Sequence, residues 1–137
     1  MNGDTIKNYI NEHDKFASHS NIRLTKVEPG YAEGEMDITP ESMNSRGVVV
    51  QGGAIFTLCD LTAAGASNSE NNGMIAMGGN ISYIRPGTGK KLRAVARQLN
   101  RGKRTGLFDV DVFNDENKLV AHATINGFAT GEQLVKE

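Results

Sequence analysis

Residues 52–69, GGAIFTLCDLTAAGASNS, predict a helix that is apolar around nearly its whole circumference and carries one acid, Asp60, in its middle. A helix of this kind must be covered on nearly every side, so the rest of the chain has to wrap around it. Burying a carboxylate that has no partner is costly. Asp60 is therefore expected to have either a bonding partner or a chemical function.

The segments around this helix predict one further helix and a set of β strands. Residues 4–19 carry apolar side chains at helical spacing after Asp4, which can cap a helix. Period-two alternation and turn residues such as Asn114–Asn117 predict two strands before the central helix and a meander of four after it. The order indicates an α+β fold in which an antiparallel sheet of about six strands wraps around the central helix. The predicted strands are residues 22–30, 31–39, 74–84, 91–99, 105–113 and 118–130.

The length of 137 residues suits one domain spanning 1–137, with the N-terminal helix within 1–20 and the central helix within 51–69. The N-terminus lacks the apolar run of a signal peptide, and no stretch approaches the roughly 20 apolar residues that span a bilayer. The one cysteine, Cys59, cannot form an internal disulfide and suits a reducing compartment as a buried, inert thiol. We therefore expect a cytoplasmic protein that does not enter a membrane.

The positive charge of the chain is unevenly distributed. Between residues 85 and 104 there are eight cations and no acid, although the net charge is only −1. Such a segment meets either an anion or the carboxylates of neighbouring strands, and the sequence leaves both open. Nucleic acid is not expected, because the net charge is near zero and no binding motif accompanies the cations. The eight are Arg85, Lys90, Lys91, Arg93, Arg97, Arg101, Lys103 and Arg104.

The start of the central helix carries a chemical signal of its own. Gly52 and Gly53 leave the backbone N–H groups of the first turn open to close approach. With the positive end of the helix dipole, these donors suit a carbonyl oxygen that becomes negative during acyl transfer. The alternative is that small residues merely let the helix end pack tightly.

Asp60 is too far from Gly52 to act with it on one carbonyl in the same chain, since eight helical residues span roughly 12 Å. If two such helices run antiparallel across a twofold axis, however, the acid of one lies near the start of the other. A homodimer would then hold two equivalent sites and would also cover the exposed remainder of the helix. The alternative is that Asp60 bonds a backbone group or a threonine hydroxyl.

Three segments together resemble the hot-dog-fold acyl-CoA thioesterases of the phenylacetate-degradation (PaaI) type. They are NSRGVVVQGGAIFTLCDLTAAGASNS, NISYIRPG (80–87) and LNRGKRTGLFDVDVFN (99–114). The resemblance covers nearly the whole chain from about residue 22. It implies a hot-dog fold, hydrolysis of acyl-CoA thioesters without a metal or other cofactor, and a homodimer or a dimer of dimers.

The resemblance also implies roles for individual residues. Gly52 matches the oxyanion donor of the family, Asp60 its catalytic acid, and Asn44 the loop asparagine that helps to position substrate or water. Gly53 is expected beside the substrate, and the turn that begins at Arg85 matches the side that holds the phosphates of coenzyme A. Candidates for those phosphates are Arg85, Arg101, Lys103 and Arg104.

The chain departs from the family pattern in three places. Gln51 stands where the family has a histidine; it can hydrogen-bond but cannot titrate near neutral pH, so we expect its amide to take over a positioning role. The stretch 47–51 is one residue longer than usual, which puts the reach of Asn44 in question. Some members place a hydroxyl side chain near the catalytic water, whereas the matching position in this chain is at about Ala76, which has no hydroxyl.

Two other functions are consistent with parts of this pattern. The loss of the usual histidine fits a non-catalytic acyl-CoA sensor, although no DNA-binding segment accompanies the domain. A hydratase would need a histidine paired with an acid near the helix, and none of His13, His19 or His122 falls there. No residues show metal-ligand spacing or a Ser-His-Asp arrangement. The acyl pocket is expected to be lined by Ile55, Phe56, Leu58 and residues 74–84.

Overall fold

A computed structural model describes residues 1–136 and shows three α-helices, one short 3-10 helix and six strands. The helices are α1 (Gly3–His13), α2 (Lys15–His19) and α3 (Gly52–Ser67), and the 3-10 turn is Pro40–Ser42. The strands are β1 (Ile22–Glu28), β2 (Tyr31–Asp37), β3 (Met74–Tyr83), β4 (Lys91–Arg101), β5 (Thr105–Phe113) and β6 (Leu119–Ala129).

The six strands form one antiparallel sheet in the order β1-β2-β4-β5-β6-β3, so the predicted sheet is confirmed. The prediction of a four-strand meander is wrong for β3, which crosses to the far edge and pairs with β6. Only β4, β5 and β6 form a meander, and Asn114–Asn117 makes its second turn. As a result β1 and β3 are the two edges of the sheet.

Helix α3 lies in the concave side of the sheet and contacts all six strands. The inward-facing residues of the strands meet its apolar side chains in one core. Its fully buried members include Leu58, Leu92, Phe108 and Val110, whose burial supplies the apolar driving force of the fold. The central helix predicted from the sequence is therefore confirmed, and it ends two residues earlier than expected.

The N-terminal helix differs from the single helix predicted for residues 4–19. The helix is interrupted at Asp14, which follows the last residue of α1. Asp14 caps α2 by accepting a hydrogen bond from the Ala17 N–H group at 3.0 Å. The cap of α1 is Asn2 rather than Asp4, because the Asn2 side chain accepts from the Thr5 N–H group. The break turns α2 against β1 and α3.

Strand β3 is the exposed edge of the sheet. Ile75 and Met77 have 59% and 55% of their surface exposed, which is unusual for large apolar side chains in a strand. A register shift between Ala76 and Gly78 forms a bulge, and a Cβ on Gly79 would lie 3.0 Å from the Phe56 ring. Gly78 and Gly79 thus lie at a bulge in the edge strand and at a close approach to α3.

Within residues 1–136, none of the helices is long and apolar enough to cross a membrane.

Candidate active site

The first turn of α3 presents two backbone donors that its own chain does not use. Gln51 caps the helix, with its side-chain oxygen accepting from the Ala54 N–H group at 3.0 Å. The Gln51 carbonyl accepts from the N–H groups of Ala54 and Ile55. Within the described part of the chain, the N–H groups of Gly52 and Gly53 find no acceptor.

Both glycines have close side-chain neighbours. A Cβ on Gly52 would lie 3.0 Å from the Tyr83 hydroxyl oxygen, and a Cβ on Gly53 would lie 2.7 Å from the Gln51 side-chain oxygen. The tight packing considered as an alternative is therefore present, and the free donors are present with it. The Gln51 amide oxygen caps this first turn, and its role in positioning a substrate stays a prediction.

Asp60 lies on the surface of the single chain rather than in its interior, which corrects the expectation of a buried acid. Among residues 1–136 its carboxylate has neither a hydrogen bond nor an ion pair. The threonine alternative is wrong, because Thr57 and Thr62 donate to the carbonyls of Gly53 and Leu58 instead. Although the residue is exposed, partial burial of the carboxyl raises its pKa, and the nearby Asp14 raises it further.

Two cavities meet at Asp60. The larger one has a volume of about 590 Å³ and runs from Asp60 along the C-terminal half of α3 to the start of β3. The smaller one, about 370 Å³, lies between α2 and α3 and includes Asp14 and Phe56. The larger cavity is lined by α1 residues Tyr9, Ile10 and His13, by Asp14, by α3 residues Asp60, Ala63, Ala64 and Ser67, and by Asn68, Met74, Ile75, Ala76, Phe108, Ile125, Gly127 and Leu134.

The residues expected to line the acyl pocket lie only partly around these two cavities. Ile55 and Leu58 lie in the core and line neither cavity, whereas Phe56 lines only the smaller one. The larger cavity instead follows the helix face that begins with Asp60. Of the 74–84 segment, Met74, Ile75 and Ala76 take part.

Asn44 lies in the loop that leads into α3. Its side-chain oxygen accepts from the Arg46 N–H group at 2.9 Å, and its backbone pairs with Val49. The loop is tied to the helix start because the Gln51 N–H group donates to the Ser42 carbonyl at 2.8 Å. A tight turn over residues 44–47 therefore uses both the side-chain oxygen of Asn44 and its carbonyl, which accepts from the Gly47 N–H group at 3.0 Å.

The cations proposed for coenzyme A phosphates do not form one cluster within a single chain. Arg85 donates to the Leu119 carbonyl at the beginning of β6, whereas the Arg104 carbonyl accepts from Ala129 at its end. These eleven residues span about 33 Å. Arg101, Lys103 and Arg104 share the β4–β5 turn, so the candidates form two groups at opposite ends of the sheet.

Three of the four cations within β4 have partners in neighbouring strands. Lys91 pairs with Glu35 and Asp37 on β2. Arg93 lies over the Phe113 ring and Arg97 over the Tyr31 ring. The pairing with carboxylates of a neighbouring strand, considered above as an alternative, is therefore confirmed for Lys91, whereas Arg93 and Arg97 contact aromatic rings.

Cys59 and His122 are titratable groups that lie outside this site. Burial raises the pKa of the Cys59 thiol to about 12, which confirms the expected inert cysteine. His122 sits on the outer face of the sheet, with its Nδ1 atom 2.7 Å from an Asp111 carboxylate oxygen. In the part of the chain that the structure describes, no group of three His, Cys, Asp or Glu side chains is placed to hold a metal ion.

Three residues near the site were missed by the sequence reasoning. Tyr83 donates a hydrogen bond to the Gly52 carbonyl at 2.8 Å, Asp14 lies beside Asp60, and Leu134 closes the far end of the larger cavity. Tyr83 stands in the NISYIRPG segment, so its strand was recognised but its direction toward the helix start was not. Asp14 could have been considered as a cap, since Asp is a favoured residue before the first turn of a helix.

A sequence profile of the thioesterase superfamily matches residues 48–121. A provisionally named esterase of Archaeoglobus fulgidus is 36% identical over 121 residues, covering 88% of this chain and 78% of the relative. The acyl-coenzyme A thioesterase PaaI of Escherichia coli is 32% identical over 127 residues, covering 88% of this chain and 90% of the enzyme.

Solved structures show the same architecture. The structure of the Escherichia coli PaaI protein matches with a TM-score of 0.90 and 27% identity, covering 96% of this chain and 95% of that one. A hypothetical thioesterase of Streptococcus pneumoniae, solved with coenzyme A, matches with a TM-score of 0.82 and 25% identity, covering 93% and 98%. The hot-dog fold implied by the sequence resemblance is confirmed by these matches.

Proposed function

The chain belongs to the thioesterase superfamily, and we propose that it hydrolyses an acyl-CoA thioester at a site shared between two subunits. The observation that carries this proposal is the pair of unmet chemical groups on α3. Among the described residues, two N–H groups without acceptors stand at its start, and a carboxylate without a partner stands eight residues later. Each group has the chemistry of one half of a hydrolytic site.

A twofold homodimer brings these halves together. Pairing β3 with β3 of a second copy would cover Ile75 and Met77 and satisfy the free edge of the sheet. Because the paired strands run antiparallel, the end of one strand lies beside the start of the other. The start of α3 in one subunit, which Tyr83 touches, would then approach the region of Ile75 and Asp60 in its partner.

The same pairing would bring the two groups of cations to one end of the joined sheet. Arg85 follows the end of β3, and the β4–β5 turn lies at the end of the sheet where β3 starts. Arg85 of one subunit would therefore lie at the same end of the joined sheet as the turn cations of its partner. We assign the phosphates of coenzyme A to this mixed group, formed by Arg85 of one subunit with Arg101, Lys103 and Arg104 of the other.

The hydrolytic step divides between the two subunits. The N–H groups of Gly52 and Gly53 stabilise the negative charge that develops on the thioester oxygen. In one route, Asp60 of the other subunit takes a proton from a water molecule while the water oxygen attacks the carbonyl carbon. In the other, the Asp60 carboxylate itself attacks the carbonyl carbon and forms an anhydride, which water then hydrolyses. The carbon–sulfur bond breaks, the thiolate takes up a proton, and the products are a free acid and coenzyme A.

The acyl group would occupy the larger cavity, whose lining is mainly apolar beyond Asp60. Asp60 and Ser67 are separated by about 10 Å along the helix. Leu134 stands at the far end, where Asn71 holds the tail through two hydrogen bonds with the Val135 backbone, at 2.7 and 2.9 Å. An acyl group of moderate length therefore fits, and Leu134→Ala should shift preference toward longer chains.

The test is thiol release from short, medium, long and aryl acyl-CoA substrates by the wild type and Asp60→Asn. We expect turnover by the wild type and a loss of two or more orders of magnitude in kcat for the variant, with the same oligomeric state. Equal turnover by both proteins would contradict the role of Asp60. Tight acyl-CoA binding without turnover in either protein would indicate a binding module instead.

A further inference from the structure

Tyr83 is hydrogen-bonded to the peptide unit that carries the Gly53 N–H group, one of the two donors at the start of α3. Its hydroxyl donates to the Gly52 carbonyl oxygen at 2.8 Å. Its ring is so close to Gly52 that a Cβ there would lie 3.1 Å from the ring carbon bearing the hydroxyl. Because the Gly52 carbonyl and the Gly53 N–H group belong to the same peptide, Tyr83 acts on that donor from behind.

A hydrogen bond to a carbonyl oxygen polarises the whole amide and makes its N–H group a stronger donor, by about 10–30% per bond in condensed phase. The other free donor has the same support, since the Gly52 N–H group shares a peptide with the Gln51 carbonyl, which accepts two helix bonds. The Tyr83 hydroxyl adds a bond to the Gly52 carbonyl beyond the one that α-helix geometry gives it, so both donors lie on amides whose carbonyls accept two bonds.

The contact also fixes geometry. Glycine peptides have wide conformational freedom, and the first turn of a helix is where backbone order is lost most easily. Tyr83 and the Gln51 side chain hold this turn from two sides, over Gly52 and Gly53 respectively. Burial raises the pKa of the Tyr83 hydroxyl, so it remains a protonated donor across the neutral range.

We propose that Tyr83 is a positioning residue for the oxyanion site, which strengthens and orients the Gly53 N–H group through its hydrogen bond to the Gly52 carbonyl. This inference rests on the proposed hydrolysis. It adds to the reaction a side chain that comes from the strand at the sheet edge, so strand β3 and the helix start act as one unit.

The test compares the wild type with Tyr83→Phe, which keeps the ring and removes only the hydroxyl. Tyr31→Phe is the matched control, because the Tyr31 hydroxyl donates to Glu33 on the outer face of the sheet. Two quantities are measured: steady-state kcat and KM for the best acyl-CoA substrate, and the amide nitrogen resonance of Gly53 in protein labelled with ¹⁵N-glycine.

We expect Tyr83→Phe to lower kcat by roughly threefold to tenfold with KM changed by less than about twofold, since loss of a whole donor costs about 10²–10³. The Gly53 resonance should move upfield, and Tyr31→Phe should change neither quantity. A kcat equal to that of the wild type, a rise in KM alone, or an unmoved Gly53 resonance would overturn the inference. A wild type without turnover would instead mark the failure of the proposed function, and the inference would fall with it.

Discussion

The two halves of α3 differ in how completely the rest of the chain buries their side chains and pairs their polar groups. In the C-terminal half, residues 61–67, every residue except Ala64 is buried, and the helix ends on Asn68. The Asn68 side chain donates to the carbonyls of Ala64 and Met74 and accepts from the Met74 N–H group. In the N-terminal half, residues 52–60, only Ile55, Leu58 and Cys59 are buried.

This difference separates stability from function along one helix. The C-terminal half meets all the requirements of a core element, with apolar surface covered and polar groups bonded. The N-terminal half leaves two donors and one carboxylate without partners in the described chain. Groups left unmet in a folded chain are the ones available to a substrate or a second subunit.

Removing the Gly52 donor should have the largest effect of the variants that break this comparison. Proline is accepted at the first position of a helix, and the extended Gln51 backbone (ψ 134°) suits the residue before it. We expect Gly52→Pro to lower kcat by about 10²–10³, as for the loss of an oxyanion donor.

Gly52→Ala is the control for this change, because it adds a Cβ near Tyr83 but keeps the N–H group. Its loss of kcat should be at least about tenfold smaller than that of Gly52→Pro. Equal losses for the two variants would mean that crowding against Tyr83, and not the donor, is responsible.

Changing the satisfied half should affect stability instead. Asn68→Ala removes three hydrogen bonds in a buried setting and leaves the Met74 backbone groups unmet. We expect the free energy of unfolding, from urea titration, to fall by about 1–3 kcal/mol. Asp60→Asn should cause no such fall, since the Asp60 carboxylate has no partner within residues 1–136 and burial disfavours its charge. A larger loss for Asp60→Asn than for Asn68→Ala would reverse the comparison.

A smaller effect is expected on the pH dependence. The pKa of Asp60 is raised by burial and by Asp14, and a base must be ionised to accept a proton. The value of kcat/KM should therefore fall as the pH drops through this raised pKa. Asp14→Asn removes the like charge and keeps a capping side chain for α2.

In Asp14→Asn the acid limb of the pH–rate profile should accordingly move to lower pH, by less than about one unit. A limb that stays in place would mean that Asp14 does not act on Asp60. A limb that moves to higher pH would contradict the assignment of Asp60 as the base.

Much of the fold was predictable because its signals are local. The apolar helix and the strand pairs around Pro29-Gly30 and Asn114–Asn117 follow from residue periodicity and turn chemistry. The position of β3 does not, because its pairing with β6 joins segments about 50 residues apart. The break at Asp14 was missed because the apolar spacing continues across it, although Phe16 proves to be 71% exposed.

For the site, the sequence predicted the glycine donors and the acid but not their surroundings. Asp60 was expected to be buried, yet it is exposed in one chain, because coverage of α3 depends on neighbours that no local pattern specifies. The cations were expected to lie together because they are close in sequence. In the folded chain, however, Arg85 and Arg104 lie at opposite ends of β6. Tyr83 was missed since only the register of β3 directs its hydroxyl to Gly52.

The central claim, a site shared by two subunits, is tested most directly by mixing inactive variants. Asp60→Asn and Gly52→Pro would be co-expressed with different tags, and the mixed dimers purified and assayed for thiol release. Each mixed dimer would hold one intact site and one doubly defective site, so its activity should be about half that of the wild type per dimer. Activity no higher than that of the two parent variants would contradict the claim, because it would place Gly52 and Asp60 of each site in the same chain.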